Sequence, residues 1–177
     1  MKKISFTLVF FILQITLFGY ETKLKDTCKI VSININKDGS LEWITKNETE
    51  ERVFIIEEYR WNKWVKIGEI YGKGLPQEMK YSFKIIPYSG KNQIRVIQEN
   101  ESNISKKIEF TSYEPKVKFT IEKVANEIKF SNKTMYEIVN SLGEIVKRGL
   151  SDSISYENLP KGSYTLNYDN STTKFER

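Results

Sequence analysis

From Lys29 onward, apolar and polar residues alternate with a period of two, the repeat of a strand whose successive side chains point to opposite faces. In KIVSININ (29–36), Val31, Ile33 and Ile35 fall on one side and Ile30, Ser32 and Asn34 on the other, and Asp38-Gly39 then breaks the pattern as a hairpin turn. LEWIT (41–45), RVFIIEEY (52–59), KWVKIGEIY (63–71), KYSFKIIP (80–87), NQIRVIQE (92–99) and SKKIEFTS (105–112) continue the series. They are rich in β-branched and aromatic residues, with RWN and Ser89-Gly90 as turns between them. Seven runs at a spacing of about 12 residues predict an antiparallel sandwich over 28–112.

The pattern pauses at TSYEP, where Pro115 interrupts it, and a new series follows. Its runs are VKFTIE, EIKFS, MYEIVN, EIVKRG, SISYE, SYTLNY and TTKFE, with turns at Ser131-Asn132, Leu142-Gly143, Pro160-Lys161-Gly162 and Asp169-Asn170. A second small sandwich over 113–177 is the expectation. No helical period appears after the first twenty residues, so the fold class is all-β: two small antiparallel β-sandwich modules in tandem. Alternation assigns Trp43, Phe54, Ile56, Trp64, Ile67, Tyr81, Phe83, Ile94 and Val96 to the first core. It assigns Ile121, Ile128, Phe130, Ile138, Val146, Ile154, Leu159, Tyr164, Leu166 and Phe175 to the second. Trp61, in the RWN turn, is the tryptophan expected to be exposed.

The first twenty residues break the alternation. Lys2 and Lys3 precede an uncharged run from Ile4 to Gly19, the layout of a secretory signal peptide. A membrane anchor is the rival reading, but spanning a bilayer takes about 18 to 20 apolar residues, and this run is shorter and contains Gln14. Residues 1–20 are therefore read as a signal peptide cleaved near Gly19, leaving a mature chain without a transmembrane segment.

Export changes how the rest is weighed. Two of the 28 basic residues lie in the leader, leaving 26 against 23 acidic ones, a net of about +3. So small an excess, spread along the chain, favours solubility over nucleic-acid binding. Cys28 is the only cysteine, so no internal disulfide can form and the cores rest on packing alone; it is either a buried thiol or a link to another chain. The chain has no histidine, which removes the usual base near neutral pH, the Ser-His and Cys-His arrangements and nearly all zinc sites. Of the paired carboxylates, Glu57-Glu58 lie along a strand and point to opposite faces, while Glu50-Glu51 sit in a turn. Gly72 and Gly74 in GEIYGKG lack the spacing of a phosphate loop and read as turn or bulge residues. No catalytic residue, cofactor or metal ligand is assigned, and the chain is read as a non-enzyme.

Two resemblances give the modules a context. LEWITKNETEERVFIIEEYRWNKWVKIGEIYGKG, followed by YSF and NQIRVIQENESNIS, carries Trp43, Glu48, Phe54, Ile56, Glu57, Trp64, Ile67, Gly72, Gly74, Tyr81, Phe83, Arg95, Gln98 and Ser105 in order. This resembles the fibronectin type III-like sandwich that precedes the sorting tail in many secreted Bacteroidetes proteins. Residues 113–177 resemble the C-terminal sorting domain of the type IX secretion system, through YEIVNSLGEIVKRG and ISYENLPKGSYTLNYDNSTTKFER. The residues that carry this likeness are Gly143, Leu159, Gly162, Tyr164, Leu166, Lys174, Phe175 and Arg177. The resemblance implies a small binding or adhesion-type module recognised by secretion machinery at the outer membrane, freed of its tail, and placed at the cell surface or outside the cell. There it would meet a protein or surface ligand. The alternative keeps both modules: a permanent periplasmic or outer-membrane-associated accessory subunit of a secretion or assembly complex, using the sorting-like domain for protein–protein contact.

Overall fold

The computed structural model describes residues 28–36, 38–99 and 104–177. The signal-peptide reading of residues 1–20 lies outside them. Seven strands fill the first part: β1 (Lys29–Ile35), β2 (Ser40–Lys46), β3 (Val53–Arg60), β4 (Lys63–Tyr71), β5 (Met79–Lys84), β6 (Gly90–Gln98) and β7 (Ile108–Ser112). They form two antiparallel sheets, β1-β2-β5 and β4-β3-β6-β7. Their facing sides enclose a core built around Trp43, whose ring stacks on Tyr81 at 5.5 Å and meets Phe54 edge-on at 6.1 Å. Leu41, Ile56, Ile94 and Val96 are fully buried beside it, each stabilising the fold by about 1.5–3 kcal/mol. Cys28 is buried in the same core.

Two details depart from simple alternation. A register shift between Ile30 and Ser32 turns Ile30 inward with Ile33 and Ile35 and leaves Val31 exposed. Trp64 is not a core residue. Val65 takes the inward position, and Trp64 lies on the outer face, with the Arg95 guanidinium 4.2 Å above its ring and Tyr59 edge-on at 5.4 Å.

The second part has β8 (Phe119–Glu122), β9 (Glu127–Val139), β10 (Ile145–Ser155), β11 (Ser163–Tyr168) and β12 (Ser171–Glu176). The seven expected runs are thus five strands. EIKFS and MYEIVN merge into β9, and EIVKRG and SISYE into β10. The expected turn at Ser131-Asn132 is instead a wide bulge, where pairing steps from Lys129↔Ser153 to Thr134↔Ser151. The bulge lets the first half of β9 pair with β8 and its second half with β11, so one five-stranded sheet bends over its own core. Phe119 and Phe130 from one half close on Tyr168 from the other, at 5.1 and 5.6 Å. Val146 was expected in this core. A second shift, between Ile145 and Lys147, leaves it unpaired and exposed on the edge strand β10, while Tyr136, Tyr156 and Tyr168 supply the missing volume.

Candidate binding groove between the two modules

The residues that carry the second resemblance divide into an inner and an outer set. Leu166 is fully buried, Tyr164 stacks on Phe175 at 5.6 Å, and Leu159 packs against them. The Tyr164 hydroxyl donates to the Pro160 carbonyl at 2.8 Å, which ties β11 to the turn before it. Gly162 and Arg177 exchange backbone hydrogen bonds at 3.2 and 3.0 Å, closing the end of the β11–β12 hairpin. The Arg177 side chain donates to the carbonyls of Tyr156 (3.2 Å) and Glu157 (2.6 Å). Gly143 occupies a turn with φ 86°, a conformation that favours glycine. Lys174 is exposed on the outer face of β12.

That outer face is where the two modules meet. Successive register pairs place Glu137 and Val139 of β9, Ser163, Thr165 and Asn167 of β11, and Thr172 and Lys174 of β12 on one side of the sheet. The tip of the β3–β4 hairpin covers part of it. Lys63 reaches across to the fully buried Glu137 at 2.6 Å, and the other oxygen of Glu137 is held by Arg148 at 2.6 Å. The Asn167 amide donates to the same carboxylate at 3.5 Å.

A second carboxylate fastens the modules at the β11–β12 turn. Asp169, 2% exposed and at φ 48°, accepts hydrogen bonds from the backbone N–H of Ser89 (3.0 Å) and Val117 (3.2 Å). Its own N–H donates to the Thr134 hydroxyl at 3.2 Å. Ser89 is presented by a loop that the buried Asn92 side chain holds through the Tyr88 N–H (3.1 Å) and carbonyl (2.9 Å). Nearby, Glu58 and Arg60 form an ion pair buried on the inner face of β3. Arg60 also donates to the Ile86 carbonyl at 3.0 Å and lies 4.9 Å over the Tyr88 ring. Burial pushes the Glu58 carboxyl up to about 7, against the pull of Arg60, and the charge on Asp169 adds to the rise. Glu57, its neighbour, faces outward and pairs with Arg95 at 2.7 Å, so the two carboxylates diverge.

Between the hairpin tip and the outer face of the second sheet runs a groove of about 670 Å³. Trp61, Asn62 and Lys63 form one wall, and Thr165, Asn167, Thr172 and Lys174 lie along the floor. Trp61, expected to be exposed, is half-buried and divides this groove from a smaller hollow of about 330 Å³ bounded by Tyr59, Tyr88 and Asn170. Nothing in the sequence singles out Thr165, Asn167 and Thr172; only the tertiary fold brings a hairpin over them. Among the described residues no group of three or more Cys, Asp or Glu is placed to hold a metal ion.

The glycines of GEIYGKG serve the first module. They bring the chain against Glu48, whose fully buried carboxylate accepts from the N–H groups of Lys73 and Gly74 (both 3.1 Å), the Tyr81 hydroxyl (2.9 Å) and Thr45. A side chain on Gly72 would meet Glu48 Oε2 at 2.9 Å. The phenol of Tyr81 is pushed up to about 12, chiefly by burial.

No family model matches the chain. No curated protein matches it either. Among solved structures, one titled "Biofilm associated protein - BSP domain" aligns at 13% identity with a TM-score of 0.30, covering 84% of this chain and 29% of that one. The chain therefore spans under a third of that structure's length.

Proposed function

We propose that this is a non-enzymatic exported binding protein of the cell surface, in which a fibronectin-like module and a type IX sorting-type module act together. The observation that carries the proposal is the groove whose wall comes from β3–β4 and whose floor comes from β9, β11 and β12. A ligand there touches residues of both modules, so binding needs both on the mature chain. The contacts of Asp169 and Glu137 support the same reading, because removing residues 113–177 would strip Ser89 N–H and Lys63 of their partners. In this form the second module is a retained part of the protein, suited equally to a surface protein and to an outer-membrane-associated accessory subunit.

A second reading has support of its own. The second module has a separate hydrophobic cluster, from Val117 to Phe175, which suits a self-contained address read by secretion machinery and then removed. Intact mass separates the two. Purified from medium, cell-surface and periplasmic fractions, the retained form still carries residues 113–177; a product ending near residue 112 outside the cell would overturn the proposal in favour of cleaved cargo.

A further inference from the structure

The groove has a lining chemistry that selects a ligand class, and this inference rests on the two-module reading above. Trp61 and Asn62 are the two central residues of the β3–β4 turn, with φ of 50° and 62°. Asparagine and glycine are the residues that tolerate this conformation; a bulky tryptophan there is strained. A turn serving only to reverse the chain gains nothing from that choice. The tryptophan instead sets a large aromatic surface between the groove and the neighbouring hollow. Opposite it, Ser163 and Thr165 present hydroxyls that have no hydrogen-bond partner among the described residues. Thr172 and Asn167 add a hydroxyl and an amide, already aligned by their mutual hydrogen bond of 2.9 Å. Of the two lining lysines, Lys63 is neutralised by Glu137, whereas Lys174 makes no ion pair among the described residues.

We propose that this groove binds a segment of an acidic polysaccharide. A sugar ring presents an apolar C–H face that stacks on an indole and a rim of hydroxyls that exchange hydrogen bonds with Ser, Thr and Asn side chains. Trp61 is the stacking platform, Ser163 and Thr165 address the ring hydroxyls, and Lys174 receives the carboxylate of a uronic acid. Trp61, Asn62 and Thr172 line both the groove and the second hollow, so neighbouring rings can lie on the two sides of the indole and the ligand is a chain of sugars rather than a single one.

The test is a titration of the full-length mature protein with polygalacturonate and, separately, with neutral dextran, followed by tryptophan fluorescence and calorimetry. Polygalacturonate is expected to bind, dextran to bind at least about tenfold more weakly, and W61A to weaken polygalacturonate binding about tenfold or more. Because W61A could disturb the module junction, K174Q on the exposed face of β12 is the companion variant. It should keep the wild-type unfolding curve, weaken polygalacturonate binding and reduce its salt dependence. Absence of binding, equal binding of dextran, or K174Q and W61A affinities equal to wild type would each overturn the assignment. Intact mass of the same preparation keeps the inferences apart: a chain that still carries residues 113–177 but ignores polygalacturonate sinks the ligand class and leaves the two-module reading standing.

Discussion

Replacing Asp169 with alanine should loosen the junction more than any other single change. The carboxylate is 2% exposed and accepts two backbone N–H groups, from Ser89 in the first module and Val117 at the start of the second. Hydrogen bonds to a charged group contribute about 1.5–3 kcal/mol each, and truncation leaves both donors without their acceptor. The residue also sits at φ 48°, where aspartate is tolerated better than alanine, which adds about 1 kcal/mol. D169A is therefore expected to lose about 4–7 kcal/mol in urea unfolding. D169N keeps one acceptor oxygen and the tolerance for positive φ, so it should lose less than half as much. Because the Asp169 charge helps raise the Glu58 carboxyl, D169A should also lower the Glu58 pKa, readable by carboxyl-resolved NMR. A D169A protein within about 0.5 kcal/mol of wild type, or a D169N protein less stable than D169A, would refute this account of the junction.

Glu58 gives stability a pH dependence. Its folded-state carboxyl is raised from 4.5 to about 7, so stability is fully present below about pH 4.5 and is lost as pH rises towards 7, by about 3 kcal/mol in total. Urea midpoints between pH 4.5 and 8 should fall for wild type and stay flatter for Glu58→Gln; parallel profiles would contradict the assignment. Gly74→Ala should cost about 1–3 kcal/mol, because φ is 64° and the new Cβ would lie 2.8 Å from the Glu50 backbone. Gly90→Ala, at φ 95° with nothing within 4 Å, should cost only about 1 kcal/mol, so equal losses in thermal melts would argue against the close packing of Gly74 on the Glu50–Glu51 backbone. Tyr164→Phe removes the bond to the Pro160 carbonyl and should cost about 1 kcal/mol, as thermal melts would register; an unchanged melt would argue against that bond tying β11 to its turn.

Period-two alternation made the strands legible because one face of each is buried. All seven runs of the first module are strands, and Trp43, Phe54, Ile56, Tyr81, Ile94 and Val96 are buried as their positions implied. Bulges defeated the pattern. At Ile30–Ser32 and Ile145–Lys147 one extra residue reverses which side chains face inward, and at 130–133 a Ser-Asn pair that looked like a turn bends a continuous strand. The second module was harder to read because four of its buried rings are tyrosines, of which alternation assigned only Tyr164 to the core. The junction left the weakest signal. Glu137 stands between two buried residues, Tyr136 and Ile138, as any outward strand position would, and Asp169 looks like an ordinary turn residue; their partners Lys63 and Ser89 lie in the other module.

The central claim is that both modules remain on one chain and together form the binding groove. Intact mass of the protein recovered from surface, medium and periplasmic fractions tests it most directly. The account predicts one mature species that still carries Arg177 wherever the protein is found; an extracellular species lacking residues 113–177 would contradict it.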